Sequence, residues 1–319
     1  MRLVALGLGL MLVLSSGASA RGQTPSPRLL RWAPPALSNP ITISVTNANR
    51  RLFLEDGRDY RLNIVEPLKR ELWIEGGHNV VVIGGHITID QLGADTAYQD
   101  NTAVKIRDGD PSGTVHLEGL LIDGAYVNDG IAIATSRAVQ IENVRVERTH
   151  DMIKKGHADC VQVQQGVGDL RVDRFTCSTE RQGIFLSDRD GPIKSADLRH
   201  VNMYAAGGSH LFFQVSGSFP VTLTGTWLAI APGFRPYAPF GYWVFPQVDG
   251  RTLLGGYDRG RRAVVGRHGQ RLWFVGSNIR GVVRKGRPRI GDMVPYGGVG
   301  DGYSSPGYVG PAEQPGVPG

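Results

Sequence analysis

An eight-residue pattern, apolar-x-apolar-x-x-apolar-x-apolar, recurs along the middle of this 319-residue chain and predicts an all-β fold, a parallel β-helix. Two further observations agree. A third short alternating strand precedes each copy of the pattern. The chain also carries 44 glycines, about 14% of its residues against a usual roughly 7%. Such a content disfavours a helical bundle, because Gly costs about 1 kcal/mol relative to Ala inside a helix.

The copies are Val115, Leu117, Leu120, Ile122; Val139, Ile141, Val144, Val146; Leu170, Val172, Phe175, Cys177; Ala196, Leu198, Val201, Met203; and, more weakly, Val221, Leu223, Thr226, Leu228. An imperfect earlier copy is VVVIGGHITI at 80–89. The starts are 24, 31, 26 and 25 residues apart. Two alternating strands joined by a two-residue bend fit this spacing, whereas a helix would repeat its apolar positions at 3.6. The bends are Glu118-Gly119, Glu142-Asn143, Asp173-Arg174, Arg199-His200 and Thr224-Gly225, and Gly and Asn there suit the left-handed backbone of a tight corner. The preceding strands carry Val104/Ile106, Ile131/Ile133, Val161/Val163, Ile184/Leu186 and Leu211/Phe213. Three short strands per coil of about 25 residues give a stack whose neighbouring coils bury one another's apolar faces. A propeller or sandwich would show blades of fixed length or hairpin turns instead.

The segments VQIENVRVERT and VHLEGLLIDG resemble coils of the right-handed, pectate-lyase-like β-helix superfamily, over roughly residues 50–230. The resemblance implies a right-handed parallel β-helix. It also implies one of several activities: polysaccharide lyase, glycoside hydrolase, uronan epimerase, or a non-catalytic adhesin or tailspike. Fold alone does not choose among them. The Asp-Asp, Gly-His-Gly and Arg-Ile-Lys signatures of polygalacturonase-like hydrolases are not in place, and Gly156-His157-Ala158 is a partial echo.

The organisation of the chain follows. Residues 1–20 read as a signal peptide: Met1-Arg2, an apolar run from Leu3 to Leu14, and Ala18-Ser19-Ala20 for cleavage. The apolar run is too short for a bilayer, which needs about 20 residues, and no other stretch is long enough. The mature protein is therefore expected to be exported, periplasmic or secreted. Residues 21–49 form a Pro-containing lead, 50–231 the β-helix, 232–290 a basic and aromatic segment, and 291–319 a Gly/Pro-rich disordered tail. The formal charge of +6 is uneven: the segment 232–290 is +10, and the rest of the mature chain is −5. Eleven Arg interleaved with Tyr, Trp and Phe suit a carboxylate-bearing polymer, since guanidinium forks bind carboxylates bidentately. The expected partner is an anionic polysaccharide or cell-surface glycan, with no nucleic acid and no transmembrane segment; the oligomeric state stays open.

If the apolar residues of the preceding strands point inward, one outward column is Lys105, Ala132, Gln162, Phe185, Phe212. Its neighbours are Ala103, Gly130, Cys160, Gly183, His210 and Arg107, Ala134, Gln164, Ser187, Gln214. Exposed aromatics beside amides suit stacking and orientation of sugar rings, so Gln162, Gln164, Phe185, Asp188, His210 and Phe212 are candidate substrate-binding residues. The long loop from Val146 to Val161 is the densest in chemistry and ends in HADCVQVQ. Lys154, His157, Asp159 and Arg181 are the candidate catalytic residues. In a lyase, Lys154, His157 or Arg181 would serve as base or neutralise a uronate carboxylate. In a hydrolase, Asp159 would pair with Asp188 or Asp190. In a metal site, His150, His157 and Asp159 would be ligands. The lyase reading leads, with Ca²⁺ as the cofactor it admits. A non-catalytic glycan-binding or structural β-helix comes second and a hydrolase third. The two cysteines are expected not to pair, Cys177 lying in an inward column and Cys160 in an outward one.

Overall fold

The computed structural model describes residues 28–29, 31–91, 101–151, 158–206, 211–216, 219–224 and 226–230, with short backbone pieces at 247–248, 251–252, 264–265, 271–272, 283–285 and 303–304. The leader, most of the basic segment and most of the tail lie outside the described residues. The described chain is all β, built on a twelve-stranded and a seven-stranded parallel sheet. None of its elements is a helix long and apolar enough to cross a membrane.

Each repeat adds one layer to the longer sheet, and the register matches the sequence pattern position for position. Val80, Val115, Val139, Leu170, Ala196 and Val221 form one continuous column of partners. Ile87, Ile122, Val146, Cys177, Met203 and Leu228 form another on the far side of the bend. These columns are buried wherever their side chains are described, and with the inward residues of the shorter sheet they make one apolar core. At about 25 cal/mol per Å² of apolar surface, stacking of such layers is the main favourable contribution. The longer sheet also reaches further back than the expected β-helix boundary. Ile41–Val45 pairs with Tyr60–Ile64, which pairs with Val80–Ile83, so the end of the expected lead belongs to the sheet.

The corners sit where the two-residue bends place them. Gly84, Gly119, Asn143, Arg174 and His200 all have positive φ, from 46° to 72°. Side chains at two of these positions tie the strained backbone to its neighbours. His200 Nδ1 meets Asp173 Oδ1 at 2.6 Å, and Arg174 Nε lies 3.7 Å from Asp173 Oδ2. The residues preceding the turn form an acidic ladder, Glu118, Glu142 and Asp173, in register across three layers. The segment before the first coil runs over it, and the Trp32 N–H donates to Glu142 Oε1 at 2.7 Å. Burial, reinforced by Asp173 and Glu118, pushes the Glu142 carboxyl up to about 8.

One fully buried cation stitches layers together. Arg137 donates from Nη1 to the carbonyls of Gly76 (2.6 Å) and Gly77 (3.1 Å), and from Nη2 to that of Arg107 (3.3 Å). Burial lowers its guanidinium to about 10, which leaves it charged at neutral pH.

Candidate functional site

The shorter sheet runs from Arg51–Leu54 through Leu72–Gly76, Thr102–Arg107, Asp129–Ala134, Asp159–Val163 and Gln182–Ser187 to Leu211–Ser216. Lys105, Ala132, Gln162 and Phe185 share one column, as the alternation requires, and the column continues backward through Trp73 to Arg51. Its forward end differs from expectation. Phe185 pairs with Gln214 and Ile184 with Phe213, so the last strand is shifted by two residues and Phe212 falls in the row of Gly183. The repeats alone could not reveal this shift, because LFFQV offers apolar partners at either register. Phe185 itself is only 8% exposed, and among the described residues of this sheet the freely exposed aromatic is Phe53, at 73%.

Alternation of burial breaks down where the chain enters four of these strands, Thr102–Arg107 and Gln182–Ser187 among them. Asp129, Gly130 and Ile131 are buried in succession, as are Asp159, Cys160 and Val161. A Cβ at Gly130 would stand 2.5 Å from the Cys160 carbonyl, so the two strand entries approach too closely for any side chain there. The break turns Cys160 inward, and it forms a disulfide with Cys177 at a Cα–Cα distance of 6.2 Å. The expectation that the cysteines stay apart is thus corrected. It assumed strict alternation at a position where the chain is rounding a corner.

The same break buries two carboxyls side by side. Asp129 lies opposite Thr102, and Asp159 opposite Gln182. Asp129 Oδ1 accepts the Asp159 backbone N–H at 3.1 Å and Asn128 Nδ2 at 3.1 Å, while Oδ2 accepts Thr102 Oγ1 at 3.4 Å. Neither carboxylate oxygen of Asp159 has a well-formed hydrogen bond, and the adjoining Gln162 amide favours the ionised form. Burial pushes Asp129 up to about 7 against the pull of the Asp159 N–H, Asn128, Thr102 and Lys105. Asp159 is raised well above the ordinary carboxylate range by burial first and the Asp129 charge second, with Arg181 opposing. Two like charges this close cannot both ionise cheaply, so each carboxyl strengthens the other's hold on its proton.

The remaining expected site residues are scattered. Lys154, His157 and His210 lie outside the described residues, and Phe212 is described by its backbone alone. Arg181 is half-buried and pairs with Asp151 at 3.2 Å while its charge reaches Asp159. Gln162 is half-buried beside the pair, and Gln164 follows the end of its strand. Asp188 is exposed at the opposite end of Gln182–Ser187 from the residue facing Asp159. Six residues at about 3.3 Å each put it about 20 Å away, beyond the roughly 5–9.5 Å of a glycosidase pair. His150 Nδ1 is 3.2 Å from Glu180 Oε1, and burial lowers its ring below the usual histidine value. Among the described residues, no three His, Cys, Asp or Glu are placed to hold a metal ion.

Asp129 is the residue that reading the sequence passed over. It stands two before Ile131 as Asp159 stands two before Val161, so the repeat itself carried the signal. Compared with family models, curated proteins and solved structures, the chain matches none.

Proposed function

We propose that this chain is an exported right-handed parallel β-helix, with three short strands per coil, that cleaves a glycosidic bond of an anionic polysaccharide by acid–base chemistry at Asp129 and Asp159. The in-register stacking of the repeats supports the architecture. The leader pattern supports export, and so does the disulfide, which belongs to an oxidising compartment.

The observation that carries the chemistry is the buried carboxyl pair. Enclosing two carboxyls with so few hydrogen bonds destabilises the fold, and perturbed acids of this kind cluster at functional sites. In the singly protonated pair, one group gives its proton to the glycosidic oxygen as the C–O bond breaks. The other attacks the anomeric carbon, as the short spacing of neighbouring strands suits. Water then hydrolyses the glycosyl ester by giving its proton to the first group, so atoms and charge balance. Hydrolysis therefore ranks above elimination, although Arg181 and Lys105 beside the pair could also neutralise a uronate carboxylate. The second reading is a non-catalytic glycan binder, favoured by the complete enclosure of Asp159.

The test is product analysis of purified protein on pectate, alginate and glycosaminoglycans, with and without Ca²⁺. New saturated reducing ends, lost in Asp159→Asn, support hydrolysis. Unsaturated uronate ends transfer the site to a lyase, and binding without turnover makes it a glycan binder.

A further inference from the structure

The aromatic column of the shorter sheet ends in an unusual concentration of cations. Arg51 Cζ, Lys105 Nζ and Arg107 Cζ lie 5.8, 5.1 and 5.6 Å from the centroid of the Trp73 ring. Significant cation–π contacts occur roughly once per 70–80 residues, so three on one indole is a built feature rather than background. The counter-charges are Glu71, which takes Arg51 Nε at 2.6 Å and lies 3.9 Å from Arg50, and Glu75, which accepts the Trp73 Nε1–H at 2.9 Å. Arg50 and Arg51 thus share Glu71, and the charge of Lys105 reaches Asp129. Arg107 has no ion pair among the described residues, and its buried Nε has no hydrogen-bond partner. Phe53, exposed beside it, stands opposite Glu75 in the next row along the same face. Like charges gathered on one ring, with a donor unspent and an aromatic surface open to solvent, are what a ligand with both an anion and an apolar ring face would complete.

This cluster also adjoins the carboxyl pair. Trp73 is two strands across from the Asp129 strand and three residues along it, about 14 Å away at about 4.8 Å per strand and about 3.3 Å per residue. The strand of Lys105 lies between them.

We propose that Phe53, Trp73, Lys105 and Arg107, with Arg51 at the rim, form a subsite for a carboxylate- or sulfate-bearing sugar unit of the chain that Asp129 and Asp159 cleave. The inference rests on the reading of that pair as the cleavage centre. Arg107 receives the anion, Trp73 and Phe53 take the ring faces, and Lys105 lies between subsite and pair.

Calorimetric titration of the full chain with a galacturonate hexamer, a sulfated heparin tetramer and cellohexaose tests this. At least one anionic oligomer binds saturably, its affinity falls with NaCl, and the neutral one binds at least tenfold more weakly. Whichever anionic oligomer binds names the acidic group. Arg107→Gln weakens that binding at least tenfold, and Arg107→Lys, which keeps the charge, weakens it less. Failure of both anionic oligomers to bind, or unchanged affinity in a folded Arg107→Gln protein, overturns the subsite. The two readings fail separately. Cleavage with unchanged KM and affinity in Arg107→Gln removes the subsite alone. Anionic binding that depends on Arg107, without cleavage of any polymer, removes the cleavage centre alone.

Discussion

Asp159 donates its backbone N–H to the carboxylate of Asp129 at 3.1 Å, across two stacked strands and thirty residues of sequence. One acid is thereby given a partner by the backbone of the other, while the carboxyl of Asp159 is left buried beside it. The arrangement places a proton donor and a proton acceptor at one point of a rigid sheet.

Replacing either member tests that role. Asp129→Asn and Asp159→Asn preserve shape but remove the exchangeable proton, and each is expected to lower kcat by about 10²–10⁴. The first proton leaves near pH 7, where Asp129 is held. Activity should therefore fall as pH drops through about 7, where Asp129 takes up its proton. A pH–rate profile of wild type checks that limb.

The raised acids have a consequence for stability. Asp129 near 7 and Glu142 near 8 bind protons more tightly folded than unfolded, where carboxyls titrate near 4. Each makes the native state lose stability as pH rises from about 4 to its folded value, with a slope of up to about 1.4 kcal/mol per pH unit. Urea midpoints should fall between pH 5 and pH 9. Glu142→Gln and Asp129→Asn should each flatten that fall, and an unchanged slope would contradict the burial argument.

Arg137 offers a sharper loss. Arg137→Met takes the side-chain donor from the carbonyls of Gly76 and Arg107, and one of two donors from that of Gly77, which keeps the Asp110 N–H at 3.0 Å. Each unsatisfied buried group costs about 1–3 kcal/mol, so a total loss of about 3 kcal/mol or more is expected in the denaturation midpoint. Gly109→Ala should also destabilise, because a Cβ there would meet the Arg137 guanidinium at 2.6 Å.

The disulfide closes a short loop, Cys160 and Cys177 being 17 residues apart. Loop-closure entropy on that scale corresponds to about 3 kcal/mol. Cys160→Ser with Cys177→Ser should lower the midpoint accordingly, and added reductant should lower that of wild type but not of the double variant.

Much of the fold was legible because the repeat is a periodicity. Val115 to Val221 align in register where counting residues places them, since a one-residue slip would turn every core side chain outward. The left-handed corners were legible at Gly119 and Asn143, whose residue types announce them. At Arg174 and His200 only position in the repeat did so. The candidate site was legible in half. Asp159 stood out in a dense loop, but Asp129, in the bland stretch YVNDG, did not.

By itself the sequence determined which residues of the repeat face the core and how the layers of the longer sheet register, because strand alternation is a local rule that burial enforces in every layer. Only the tertiary structure decided that Cys160 meets Cys177, that Asp129 meets Asp159, and that Trp73 gathers three cations. The first two arise where the chain rounds a corner and alternation lapses, and the third joins side chains from three successive strands of one sheet. In each case the direction of a side chain depends on the path of the neighbouring layers, which no local pattern encodes.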